Sequence, residues 1–228
     1  MNSAAHSAAD ATGRTVVVDV WSDVMCPFCY LGDTLLQQAR ATSPHAVEVR
    51  YHSYQLMPEL PEDEPMGLYE LLEHERGLPR AQAEAMNRQV SARAAEVGLT
   101  WRIDDAIATN TRTAHRLMHF ANAHGKQHAM AMRLFRAYFT DGLNVGDHGV
   151  LADLAAEIGL DRAAALDALR TGAYGAEFEA DVRQAHELGI TGVPFFVFNG
   201  RYAVSGAQPV EVFQQALAAA AGHPPDVS

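Results

Sequence analysis

The chain has 228 residues, 48% apolar and 20% charged, with a formal net charge of −11. That is the composition of an ordinary globular protein, long enough for one sizeable core or two smaller ones. The acidic balance argues against nucleic acid as a partner, since phosphate binding needs a basic patch. Charges interrupt every Ala-rich stretch, so no run reaches the roughly 20 apolar residues of a membrane span.

Residues 1–14 are small and polar, without the basic and apolar regions of a secretory leader. They read as a flexible tail, and the expected compartment is the cytoplasm. Thr15–Trp21 (TVVVDVW) is β-branched and almost continuously apolar, which predicts a strand covered on both faces. Cys26-Pro-Phe-Cys29 follows, and these are the only two cysteines. Pro27 suits the first turn of a helix, and Leu31, Leu35 and Leu36 recur at helical spacing. Val47–Tyr54 alternates and predicts a second strand, giving a βαβ unit with a parallel pair.

Pro58, Pro61 and Pro65 mark an acidic joint, after which the pattern is helical to about Gly189. Helices are expected over 67–76, 79–97, 110–124 and 127–141. Three more follow: one capped by Asp147 and ended by Gly159, one capped by Asp161 and ended at Gly172, and one over 174–188. Phe195–Phe198, Asn199-Gly200 and Arg201–Val204 then predict a hairpin, because Asn-Gly supplies the positive φ angles of a type I′ turn. Val210–Ala220 reads as a final helix. The sum is α/β, with βαβ and ββα segments at 15–62 and 189–221 completing one sheet around an all-α insertion at 63–188. Residues 222–228 read as a second flexible tail.

A C-x-x-C pair serves either as half of a zinc site or as a dithiol/disulfide couple. Structural zinc wants four ligands, and no second cysteine pair exists here. His115/His119 and His124/His128 have i, i+4 spacing. On Arg-flanked amphipathic helices such histidines are more often solvated or half-buried, so no metal is expected. The redox reading fits the strand-to-helix position. There a thiol meets the positive end of the helix dipole and unpaired N–H groups, both of which favour thiolate. Cys26 is then the attacking thiolate and Cys29, one turn in, the resolving thiol. Phe28 between them carries no hydrogen-bond donor and no charge. A less oxidising couple than a Pro-His version is expected. Val193-Pro194 precedes a strand and is a candidate for a substrate-facing loop that pairs with an extended peptide.

The stretches DVWSDVMCPFCYLG (19–32), NTRTAHRL (110–117), LFRAYFT (134–140) and GVPFFVFNGRYAVSGAQ (192–208) together resemble the DsbA-like thioredoxin-fold oxidoreductases, in particular the FrnE-type branch. The resemblance implies a thioredoxin-like fold split by a helical domain and thiol–disulfide oxidoreductase or isomerase activity. It also implies a cis Pro194 beside the thiols, with Cys26 as nucleophile and Cys29 as resolving thiol. Asp19, on the first strand, matches only with a one-residue shift an acidic position that serves such enzymes as a proton relay. No cofactor beyond the Cys26–Cys29 disulfide is implied, with glutathione a potential co-substrate. The expected partners are protein or small-molecule disulfides, recycled by glutathione or thioredoxin. The chain lacks the second cysteine pair of some relatives, so its electrons must come from another molecule.

The same split fold is similar to 2-hydroxychromene-2-carboxylate isomerases and kappa-class glutathione transferases. There a serine commonly replaces the first cysteine, and Asn110 and Arg112 would line a small-molecule pocket. A third reading is a holdase with an apolar groove near Trp21, Phe28 and Tyr30.

Overall fold

The computed structural model describes residues 15–222; the expected tail 1–14, and all of the expected tail 222–228 except Gly222 at the C-cap of the last helix, lie outside the described residues. Strand β1 (Val16–Ser22) leads into helix α1 (Pro27–Ala41) and strand β2 (Val47–Ser53). A two-residue strand β3 (Met66–Gly67) opens the insertion and pairs antiparallel with β4 (Ile107–Ala108), across α2 (Leu68–Arg76), α3 (Arg80–Glu96) and a 3-10 turn at Ile103–Asp105. Helices α4 (Arg112–Ala123), α5 (Gln127–Phe139), α6 (His148–Glu157), α7 (Arg162–Arg170) and α8 (Gly175–Glu187) follow. The chain then returns through β5 (Phe195–Phe198), β6 (Tyr202–Ser205) and α9 (Val210–Ala221).

The two ends build one four-stranded sheet in the order β2-β1-β5-β6, with β1 parallel to β2 and the other pairs antiparallel. Period-2 alternation decides what each face carries. Val18 and Val20 sit opposite Phe198 and Phe196 in register, and all four are buried. Phe196 packs edge-to-face on Phe213 of α9 at 4.9 Å, and lies against Gly32 of α1. This face therefore belongs to α1 and α9. Asp19, Trp21 and Val197 point the other way, where Trp21 stacks on His52 of β2 at 4.5 Å.

Most of the sequence-derived boundaries fall within two residues of the structure, for physical reasons visible in the caps. Asp147 and Asp161 accept from the N–H groups of Val150 and Ala164, and Gly159 takes the positive φ of 77° that ends α6. The hairpin differs in one respect. Asn199 and Gly200 have φ of 49° and 69°, and Arg201 N–H closes the turn onto Phe198. Arg201 then joins the loop, so β6 starts one residue later, at Tyr202. The β3–β4 bridge and the 3-10 turn are absent from the sequence reading, since two-residue strands carry no periodicity.

One apolar cluster runs from the sheet and α1 through α4, α5, α6 and α7, so the insertion shares its core with the thioredoxin-like part. Among the described residues no helix is long and apolar enough to cross a membrane.

Candidate active site

Strand β1 ends at Ser22, and a short turn brings Cys26 to the N-cap of α1, with Pro27 in the first helical turn. Cys26 N–H donates to the Asp23 carbonyl, which fixes that turn. The Cys26 side chain offers none of the oxygen acceptors that normally cap a helix. The first-turn N–H groups of Cys29 and Tyr30 reach the Cys26 carbonyl, and the sulfur turns toward the loop before β5.

Both cysteines are free thiols and both are covered, at 3% and 1% exposure. Cys26 is the more open, but only slightly, because the returning Val193 loop lies over it. The Cys26 thiol points at the Val193 carbonyl at 3.6 Å. The Val193–Pro194 peptide bond is cis. The Pro194 carbonyl accepts from Gly206 N–H at 2.8 Å, which ties this loop to the end of the hairpin.

Cys29 lies deeper. Burial pushes its thiol well up, and the adjacent Cys26 adds to that; the Ser22 hydroxyl and the Asp23 amide pull the other way. The Asp23 N–H lies 3.5 Å from Cys29 Sγ. The two sulfurs thus differ by their neighbours, one beneath the Val193 loop and one against the Ser22 hydroxyl and the Asp23 amide.

Asp19 is not the acid behind Cys29. It faces away from α1, and its carboxylate accepts from His52 Nε2 at 2.9 Å. The reason is the strand's alternation, which sends Asp19 to the Trp21 face. The buried carboxylate beside the dithiol is Asp23, fully enclosed, accepting from Leu56 N–H at 2.8 Å and from His115 Nε2 at 3.3 Å. Sequence reasoning missed it because its partner lies 92 residues away. The signal present was an acidic residue three positions before the C-x-x-C.

The histidine pairs also separate. His115 is buried, not solvated, and goes to Asp23, whereas His119 faces Ser53 and Asp181. His124 bonds the Phe120 carbonyl and His128 the Tyr51 hydroxyl. Each has its own partner, and among the described residues no group of three or more His, Cys, Asp or Glu could hold a metal.

Asn110 is buried and spent on structure. Its carbonyl accepts from Gln55 Nε2 and Arg112 N–H, and its amide donates to the Pro58 and Leu60 carbonyls. Arg112 pairs with Glu179 at 2.6 Å and lies over the Phe178 ring at 4.6 Å. Together they line a cleft of about 530 Å³, but neither cysteine belongs to its lining.

Beside the dithiol runs an apolar groove of about 330 Å³ between α1, α2 and α3. Met25, Phe28, Leu68, Met86, Val90 and Phe139 line it. Phe28 and Met86 are 39% and 51% exposed, two of the few large apolar side chains left in solvent. The Arg93 guanidinium lies 5.9 Å from the centre of the Phe28 ring. Tyr30 points inward instead, stacking on Phe135 at 5.1 Å, and Trp21 is buried against His52.

A dithiol at the N-terminus of the first helix, facing a loop that precedes an antiparallel strand, defines a thioredoxin-fold redox protein. Residues 17–218 match the DSBA-like thioredoxin domain family, and the chain belongs to it. It is similar to a probable DsbA oxidoreductase from Streptomyces coelicolor, with 38% identity, 93% of each chain covered and a TM-score of 0.87. It is 29% identical over 206 residues to the uncharacterised Bacillus subtilis protein YwbO, covering 89% of this chain and 96% of that one. It also shares its fold with the cytosolic disulfide reductase DsbM from Pseudomonas aeruginosa, at 24% identity, 89% and 97% coverage and a TM-score of 0.62.

Proposed function

We propose that this DsbA-like protein is a disulfide reductase or isomerase in which Cys26 attacks and Cys29 resolves. The carrying observation is the asymmetry of the pair. Cys26 caps α1 beneath the Val193 carbonyl, and Cys29 is a buried thiol held up by desolvation. Cys26 thiolate attacks a substrate disulfide, forming the Cys26–substrate bond and expelling one substrate sulfur as thiolate. Cys29 then attacks Cys26 Sγ, forming the Cys26–Cys29 disulfide. That releases the second substrate sulfur, and the substrate has gained two electrons.

The apolar groove at Met25 and Phe28 supports a polypeptide substrate, whose side chains near its cystine would find apolar contacts there. Phe28 offers the Cys26 sulfur no donor, which favours a reducing over an oxidising couple. The dithiol form would then be regenerated by glutathione or thioredoxin in the cytoplasm, a setting supported by the likeness to a cytosolic reductase. The small-molecule isomerase reading loses support, because Asn110 is fully engaged and the second cysteine, which that chemistry does not need, is retained.

Insulin disulfide reduction with dithiothreitol tests the proposal. The native protein should accelerate it, Cys26→Ser should abolish the effect, and Cys29→Ser should accumulate a mixed disulfide on Cys26. Activity in Cys26→Ser would refute it.

A further inference from the structure

Behind the dithiol lies a polar pair that the sulfur exchange does not itself consume. Asp23, in the turn before α1, and His115, on α4 of the insertion, are 0% and 1% exposed. The His115 Nε2–H donates to Asp23 Oδ1 at 3.3 Å, and Leu56 N–H holds Oδ2 at 2.8 Å. Asp23 also places its own N–H on Cys29 Sγ at 3.5 Å. One residue thus carries both the contact to the resolving thiol and the contact to the insertion.

The far side of the ring is unusual. His115 Nδ1 has no hydrogen-bond partner among the described residues, and neither has the nearby buried Tyr138 hydroxyl on α5. Buried polar groups left this way are costly, and are retained where a structural or functional gain offsets them. The ionisable groups that meet Asp23 besides His115 are Cys26 at the N-cap of α1, Cys29 on α1 and Tyr138 on α5. From α8 the ring meets Phe178 at 5.9 Å, while Asp181 is occupied by His52, His119 and Ser53.

We propose that Asp23 and His115 are positioning residues for Cys29: the insertion, through His115, holds Asp23 so that its amide supports the Cys29 thiolate as it attacks the mixed disulfide. This rests on the dithiol reading above. In that step the S–S bond between Cys29 and Cys26 forms and the bond from Cys26 to the substrate sulfur breaks. The electron pair leaves on the substrate sulfur. The Cys29 proton ends on that thiolate, or on the buffer when the thiolate is a weak base. Burial already disfavours the Cys29 thiolate, so a misplaced amide makes it rarer and the step slower.

The test is stopped-flow reaction of the reduced protein with 5,5′-dithiobis(2-nitrobenzoate), which releases one coloured thiolate on attack by Cys26 and a second on resolution by Cys29. His115→Phe keeps ring volume and removes the donor. It should leave the first phase within about twofold, slow the second at least tenfold and move its pH midpoint upward. His115→Gln restores a donor at the Nε2 position and should recover most of the rate. A second phase unchanged in rate and pH midpoint in His115→Phe would overturn the proposal, as would equal slowing of both phases in both variants. A native protein with no second phase would overturn the dithiol reading instead. Should the variants fail to fold, histidine ¹⁵N spectra of the unaltered reduced protein decide. The His115 ring shifts should follow the Cys29 titration and lose that step in the oxidised protein, and shifts that ignore it would overturn the positioning role.

Discussion

Replacing His52 with glutamine should flatten the loss of stability above neutral pH. His52 sits between two carboxylates, donating from Nδ1 to Asp181 and from Nε2 to Asp19, both at 2.9 Å. Only the imidazolium has both donors. Burial opposes its charge, but the bonds to Asp181 and Asp19 outweigh burial and push the ring from 6.5 up to about 9. Burial likewise opposes the charge on Asp181, while His119 and His52 hold its carboxyl well below the ordinary range. A raised histidine stabilises fully below the unfolded value near 6.5 and loses that contribution as pH rises through about 9. A depressed Asp181 stabilises above about 4 and loses its share as pH falls below that. The network is therefore strongest between about pH 4 and 6.5. The span from 6.5 to about 9 corresponds to at most roughly 3 kcal/mol, shared among the partners. Urea denaturation of the reduced protein from pH 5 to 9.5 reads it. The native protein should lose up to about 3 kcal/mol more than His52→Gln between pH 6.5 and 9. Comparing the two curves cancels the thiol titrations common to both. Parallel curves would show that His52 is not held as imidazolium.

Three further substitutions probe other parts of the account. Arg116 is buried on α4 and donates to the carbonyls of Ala168, Leu169 and Ala173 at the end of α7; Arg116→Ala should cost about 3 kcal/mol, and a loss under about 1 kcal/mol by urea titration would refute that role. A Cβ on Gly32 would meet Pro194 Cγ at 3.0 Å and Phe196 Cζ at 3.2 Å. Gly32→Ala should therefore lower the melting temperature by overpacking worth roughly 1–3 kcal/mol, despite alanine's helix preference of about 1 kcal/mol; a rise would show that α1 can shift. Phe28→His places a donor in the dipeptide and should make the couple more oxidising, with each 30 mV or so equal to about 1.4 kcal/mol; an unchanged potential in glutathione buffers would remove Phe28 as a determinant.

The fold was readable because its signals are local. β-Branched runs, Asp caps, terminal glycines and Asn199-Gly200 each act within a few residues. The dithiol was readable for the same reason, since Cys26, Pro27, Phe28 and Cys29 are consecutive and sit on a strand-to-helix junction. What failed was long-range. Alternation could have warned that Asp19 shares a face with Trp21, but not which helices cover that face. The Asp23–His115 bond joins a turn to a helix in a different part of the chain. His115 and His119, one turn apart, looked like a pair and face separate carboxylates, because α4 wedges between the active-site turn and the β2–α8 network. Asn110 does line a cleft with Arg112, but three of its four bonds, to Gln55, Pro58 and Leu60, pin the 55–60 loop, and the fourth holds Arg112 N–H.

The reduction potential of the Cys26–Cys29 couple, measured by equilibration with glutathione and quantified by thiol alkylation, decides between a reducing and an oxidising dithiol. A reductase should show a single two-electron couple near the thioredoxin value of roughly −270 mV, lost in Cys26→Ser and in Cys29→Ser. A potential close to the roughly −120 mV of a strong oxidant, or a protein in which no Cys26–Cys29 disulfide forms, would contradict the reductase reading.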